Sequence, residues 1–173
     1  MCLIVVGLAL VSPRAHAGTR GEWVLGLAPT YAFIVLDNKA EPRGGGASLF
    51  LTYGLSDAIA LRLSGLWTGH NIEADEETEG GLYQVANVAF GLQYAIDLLS
   101  VTPSIEAGAG LLYLRYGDGS AVNLGLHFGL AVDYWLARWI CVGAAFHYHA
   151  FISNPADYPV YFDAGPRVAI RWQ

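Results

Sequence analysis

Two histidines one residue apart, His147 and His149, precede Ser153 and Asp163, and this is the set of side chains best suited to chemistry. On a strand, positions i and i+2 share a face, and a hairpin to the next strand brings Asp163 opposite or diagonal to one imidazole. An imidazole oriented by a carboxylate can take a proton from a serine hydroxyl, which is the logic of nucleophilic catalysis. The same pair could ligate a metal, but zinc takes at least three protein ligands. Neither a metal nor a cofactor is therefore expected. A second set, Arg62, Glu106, Asp133, Arg167 and Arg171, shares one strand parity with His127, the other two histidines and Asp163. Charges held away from water must pair, so these predict an internal ion-pair network, with Arg62, Glu106 and Arg167 at similar depth and Asp133 and Arg171 lower. Such a network reads either as a structural plug or as a gated proton or solute path; the plug is the expectation. The acidic run at 73–79 lacks the spacing of a calcium loop and reads as a solvated surface loop. No lysine or helix start follows Gly44-Gly45-Gly46, so that run predicts a bend into the second strand rather than a phosphate cradle.

The elements that must position these residues are strands. From Trp23 onward apolar residues recur at every second position, with small or polar partners between them. Eight segments carry the pattern, at 23–35, 47–55, 59–67, 82–96, 101–113, 122–134, 140–148 and 160–172. Each has about the 10 residues that a tilted strand needs to cross a bilayer. Connections at 56–58, 97–100 and 135–138 are tight, whereas 38–46 and 69–81 are long and polar, with 117–120 short and 152–159 intermediate. Short turns at one end and longer loops at the other put both termini on the periplasmic side of an outer membrane.

Composition selects among barrels. The 173 residues include only 14% charged side chains against 54% hydrophobic ones, with 9 Lys+Arg, 15 Asp+Glu and a formal charge of −6. Disorder and nucleic-acid binding are disfavoured, the first by the hydrophobicity and the second by the acidic balance. A soluble surface is disfavoured too, since soluble domains carry roughly 25% charge. No apolar run reaches the about 20 residues of a spanning helix: Gln93, Asp97, Pro103 and Glu106 interrupt one stretch, Asp133 and Arg138 another. A lipocalin-like carrier would place its large apolar residues inside. Here the opposite parity holds too little charge to be a solvated exterior, as Asn123, Gly125, His127, Gly129, Ala131 and Asp133 illustrate. The apolar parity is therefore expected to face lipid. Trp23, Tyr53, Tyr94, Tyr134 and Trp172 at one end, with Trp67, Tyr113 and Tyr148 near the other, would form two interfacial aromatic belts.

The segment Leu3–Val11, followed by Ala15-His16-Ala17, has the apolar core and small-x-small site of a cleaved signal peptide. Residues 1–17 are expected to be removed, leaving one domain, 18–173, and only Cys141, so no internal disulfide. The runs Tyr53–Gly65 and Pro103–Leu114 resemble segments of the small eight-stranded outer-membrane barrels, the group of the OmpA transmembrane domain and the OmpW type. That resemblance implies an all-β, eight-stranded antiparallel up-and-down transmembrane barrel in a Gram-negative outer membrane. Its implied partners are membrane lipid and lipopolysaccharide, and the barrel assembly machinery, which in this group reads a C-terminal aromatic; here Trp172 precedes Gln173. The expected role is non-enzymatic: envelope structure, surface interaction or restricted passage of a small solute. The alternatives are an outer-membrane lipid-modifying enzyme, because the His/Ser/acid set looks like that of lipid A deacylases, and a secreted lipocalin-like carrier.

Overall fold

The computed structural model describes residues 19–35, 43–72, 81–98, 100–153 and 160–173. The expected signal segment at 1–17 and the acidic run at 73–79 lie outside them. Eight strands follow in order: β1 (Trp23–Val35), β2 (Arg43–Gly54), β3 (Ile59–Ile72), β4 (Gly81–Ala95), β5 (Val101–Tyr116), β6 (Gly119–Ala137), β7 (Ile140–Phe151) and β8 (Val160–Trp172). Each pairs antiparallel with its sequence neighbours, and β8 pairs with β1 to close the barrel. Closure leaves no sheet edge, the condition for a sheet to stand in hydrocarbon. Among the described residues no helix is long and apolar enough to cross a membrane.

The apolar parity faces outward along every strand, with Leu27 50%, Val88 61% and Val122 63% exposed. A lipocalin-like barrel would reverse this arrangement, and the carrier alternative falls on that observation. At the end where β1 begins and β8 ends, here the base, Trp23 is flanked by Tyr53 and Trp172 in the neighbouring strands. Tyr94 and Tyr134 stand opposite Ile59 and Val101, the first residues of β3 and β5. Toward the other end, the mouth, Trp67 and Tyr113 are outward, and Tyr148 packs with Phe162, ring centroids 5.2 Å apart.

Three sequence expectations change. The triple glycine does not bend the chain into β2 but lies inside it, Gly44 opposite His70 and Gly46 opposite Thr68. A methyl group on Gly46 would collide with the Trp67 carbonyl, and one on Gly44 with the His70 ring, so the strands approach there because side chains are missing. The expected turn at 135–138 shrinks because β6 continues to Ala137, with a register irregularity between Trp135 and Ala137, and Trp135 turns inward. The connection at 117–120 tightens to Gly117-Asp118, with Gly117 in the left-handed region at φ 54°.

Candidate functional site: a charged network across the lumen

Register decides which inward side chains can meet. Glu106 lies opposite Gly129, Gly129 opposite His147, and His147 opposite Asp163, so one row crosses β5, β6, β7 and β8. Gly129 leaves a gap in that row, and through it His147 Nε2 comes within 3.2 Å of Glu106 Oε2. The row below repeats the device: Asp133 faces Gly143, which faces Arg167. Across that glycine Arg167 Nε and Nη2 donate to the two Asp133 oxygens at 2.7 and 2.5 Å. Paired, planar donors meeting both oxygens are the strongest form of this interaction.

Glu106 is the hub. It is fully buried, with Arg62 Nε 2.9 Å from its Oε2 and Arg167 Nη1 donating to its Oε1 at 3.2 Å. The Arg62 contact is an ion pair whose angle misses hydrogen-bond geometry, so that guanidinium is held by charge more than by direction. Both guanidiniums also lie over the inward ring of Phe50, Arg62 at 4.0 Å and Arg167 at 5.0 Å from its centroid. On the mouth side Asp163 takes His147 Nδ1 at 2.9 Å and His149 Nε2 at 2.7 Å. His127 completes a triangle of rings, 6.2 Å from His147 and 6.0 Å from His149. Each His147 nitrogen faces a carboxylate oxygen, an arrangement satisfied only when both donate, as imidazolium does. Three carboxylates, two guanidiniums and that imidazolium then balance to zero.

Apolar clusters flank the network on both sides, and at the base a cavity of about 50 Å³ among Phe50, Thr52, Trp135 and Ala169 reaches Asp133 and Arg167. Toward the mouth lie Ile34, Leu66, Val85, Leu112, Leu114 and Phe151, with Tyr161 sharing a 2.7 Å hydrogen bond with Thr68. Toward the base, Phe50, Trp135, Cys141 and Ala169 pack together, and Trp135 Nε1 donates to Thr102 Oγ1. The structure thus brings Arg62, Glu106, Asp133 and Arg167 together and joins them to His147, His149 and Asp163. Arg171 sits lower, at the base, with its guanidinium 4.0 Å over Trp135 and its Nε donating to the Arg138 carbonyl and 3.5 Å from Glu22 Oε1. Ser153 is not drawn to the histidines: its hydroxyl accepts from Leu124 N at 2.8 Å and donates to Asn123 Oδ1 at 3.3 Å. His149 Nε2 is given to Asp163, and its Nδ1 has no hydrogen-bond partner, so no His–Ser pair is assembled. Among the described residues no group of three or more His, Cys, Asp or Glu is arranged to hold a metal ion.

Phe50 and Trp135 escape the sequence reading. Phe50 is a lone aromatic between Ser48 and Thr52 on the inward parity of β2, and that isolation is the signal that could have found it.

No family model matches the chain, and no curated protein matches it. Solved structures do. Ail, the attachment invasion locus protein of Yersinia pestis, superposes with a TM-score of 0.65 at 17% identity, over 89% of this chain and 100% of that one. The N-terminal β-barrel domain of Pseudomonas aeruginosa OprF gives 0.63 at 14%, over 90% and 100%. OprG, an outer membrane protein of the same organism, gives 0.61 at 13%, over 91% and 99%. With an outward apolar face, a closed antiparallel ring of eight strands and these neighbours, the chain has the fold of the small eight-stranded outer-membrane β-barrels.

Proposed function

We propose that the protein is an outer-membrane barrel of the Gram-negative envelope, exported on residues 1–17, whose lumen is sealed by the Glu106 network. Its work is then structural or lies in surface contacts made by the mouth-side loops, rather than in bulk passage of solute. The observation that carries this reading is the full burial of Glu106 against Arg62, Arg167 and His147, with an apolar cluster on the mouth side. An ion moving along the axis would have to break several charge contacts, and breaking even one buried pair costs about 3–5 kcal/mol. The aromatic residues near both ends of the strands fit a barrel seated between two interfaces, with the base toward the periplasm and lipopolysaccharide around the mouth.

Purified protein in planar bilayers tests the seal. The expected result is no stable open level; a persistent pore of substantial conductance overturns it. Fractionation of envelope membranes tests the address, since material found only in the soluble periplasmic fraction contradicts it.

A further inference from the structure

Between Arg62, Ser64 and Asn87 on one side and His127, His149 and Asp163 on the other lies a small cavity of about 20 Å³. Three of its lining side chains carry polar atoms that are buried and have no hydrogen-bond partner: Arg62 Nη1, His127 Nδ1 and His149 Nδ1. Their residues are only 3%, 3% and 5% exposed, so bulk solvent does not serve them. Leaving such a group unsatisfied costs about 1–3 kcal/mol, and three around one small space is more than a native interior ordinarily tolerates.

We propose that this cavity is a binding site for a single structural water that joins the arginine half of the lumen network to the histidine half. The volume suits it, since a single water needs about 10–15 Å³ of accessible space. So does the pattern of donors. In the neutral tautomer whose Nε2–H donates to Asp163, His149 Nδ1 is left as an acceptor. Arg62 Nη1 can only donate. A water accepts from the arginine, donates to His149 and uses its second hydrogen or second lone pair on His127, which makes the three hydrogen bonds typical of a buried water. A halide can only accept, so beside that neutral tautomer it would leave His149 Nδ1 unsatisfied, and bromide is therefore the probe that distinguishes the two occupants. A metal cation would face the Arg62 guanidinium at close range. Charge balance agrees, because the surrounding groups Arg62, Glu106, Asp133, His147, Asp163 and Arg167 already sum to zero and leave no call for an ion.

Register supplies the space. Arg62 faces Gly91, Gly91 faces Gly108, and Gly108 faces His127. Two empty positions in succession allow an arginine on β3 and a histidine on β6 to border one cavity. The site rests on the sealed-lumen reading, and the two can fail separately.

The test uses the folded protein in detergent micelles, with magnetisation transfer from water to the Asn87 side-chain amide and to the His127 and His149 rings, which line the cavity, and bromide soaked into crystals as the competing probe. One long-lived water is expected in the native protein and in His127→Asn, which keeps a small polar group at the cavity, and none in His127→Leu, which fills it. The gel shift of a folded barrel on heating confirms that each variant is folded; if His127→Leu is not, the native and His127→Asn measurements decide alone. A dry cavity in a barrel that does not conduct overturns the water site alone, as does bromide density at the cavity. Fast-exchanging water along the whole bore overturns the seal and the site together.

Discussion

Glu106 receives two guanidiniums and an imidazole, so its charge is what the centre of the barrel is organised around. Replacing it with Gln keeps the shape, removes the charge and turns an amide toward two arginines. Because removal of one partner from a buried pair leaves the other uncompensated, Glu106→Gln is expected to destabilise the barrel by about 3–5 kcal/mol. Urea unfolding in lipid vesicles, followed by Trp fluorescence, measures it; an unchanged midpoint would mean that the charges are solvated. Phe50→Leu keeps the apolar volume and loses a ring face shared by Arg62 and Arg167, for an expected loss of about 1–2 kcal/mol in the same assay. The charged members of this network were legible in the sequence because strand parity alone puts Arg62, Glu106, Asp133 and Arg167 inside. Their partners were not, because which of them meet depends on the stagger between strands and on where glycines leave room.

At the scale of the strands, those glycines act as spacers. Gly129 and Gly143 each stand between two charged residues that touch across them, and a methyl group on Gly129 would strike the His147 ring and press on Glu106. Gly129→Ala should therefore cost about 1–3 kcal/mol by overpacking, although alanine at an ordinary strand position is harmless. Gly65, whose added methyl would meet little, is the control position for the same unfolding measurement. The closing seam shows the opposite problem. The β1–β8 ladder runs from Trp23↔Trp172 to Leu27↔Val168 and resumes at Tyr31↔Ala164, and the register between them sets Pro29 opposite Pro166. The Pro29 carbonyl points across to β8, yet neither proline has an N–H to complete the bonded pair, so mid-height carbonyls go short of donors where lipid offers none. The double substitution Pro29→Val with Pro166→Val should raise stability: each restored bond contributes about 1 kcal/mol, partly offset by about 0.4–1 kcal/mol from the freer unfolded chain. It should also slow amide exchange at Leu27, Tyr31, Ala164 and Val168, which in the native protein is expected to outpace exchange in the unbroken β5–β6 ladder. Equal exchange on both seams would remove the argument. Strand count and direction were readable from period two, but this seam was not, since two prolines 137 positions apart become neighbours only when the barrel closes.

For the whole molecule, low charge and high hydrophobicity describe two different surfaces. Outside, exposed side chains such as Leu63, Phe90 and Leu130 form a band that only hydrocarbon or detergent can cover. Inside, the scarce charges are concentrated in the lumen, and the proposed seal makes a specific demand on how the barrel responds to salt. Exposed ion pairs weaken as the screening length falls from about 10 Å at 0.1 M to about 3 Å at 1 M, whereas buried pairs are screened much less. If the lumen is sealed, raising sodium chloride across that range should leave the unfolding midpoint of the native barrel unchanged. The loss caused by Glu106→Gln should be equally unaffected. An open, wet bore lets ions reach Glu106, Arg62 and Arg167, so the native midpoint would drop with salt and the cost of the substitution would shrink toward that of a surface pair, about 0–1 kcal/mol. Comparing the two proteins at both salt concentrations separates the alternatives without reference to conductance, because it asks whether solvent reaches the charges, whereas conductance asks whether ions can cross.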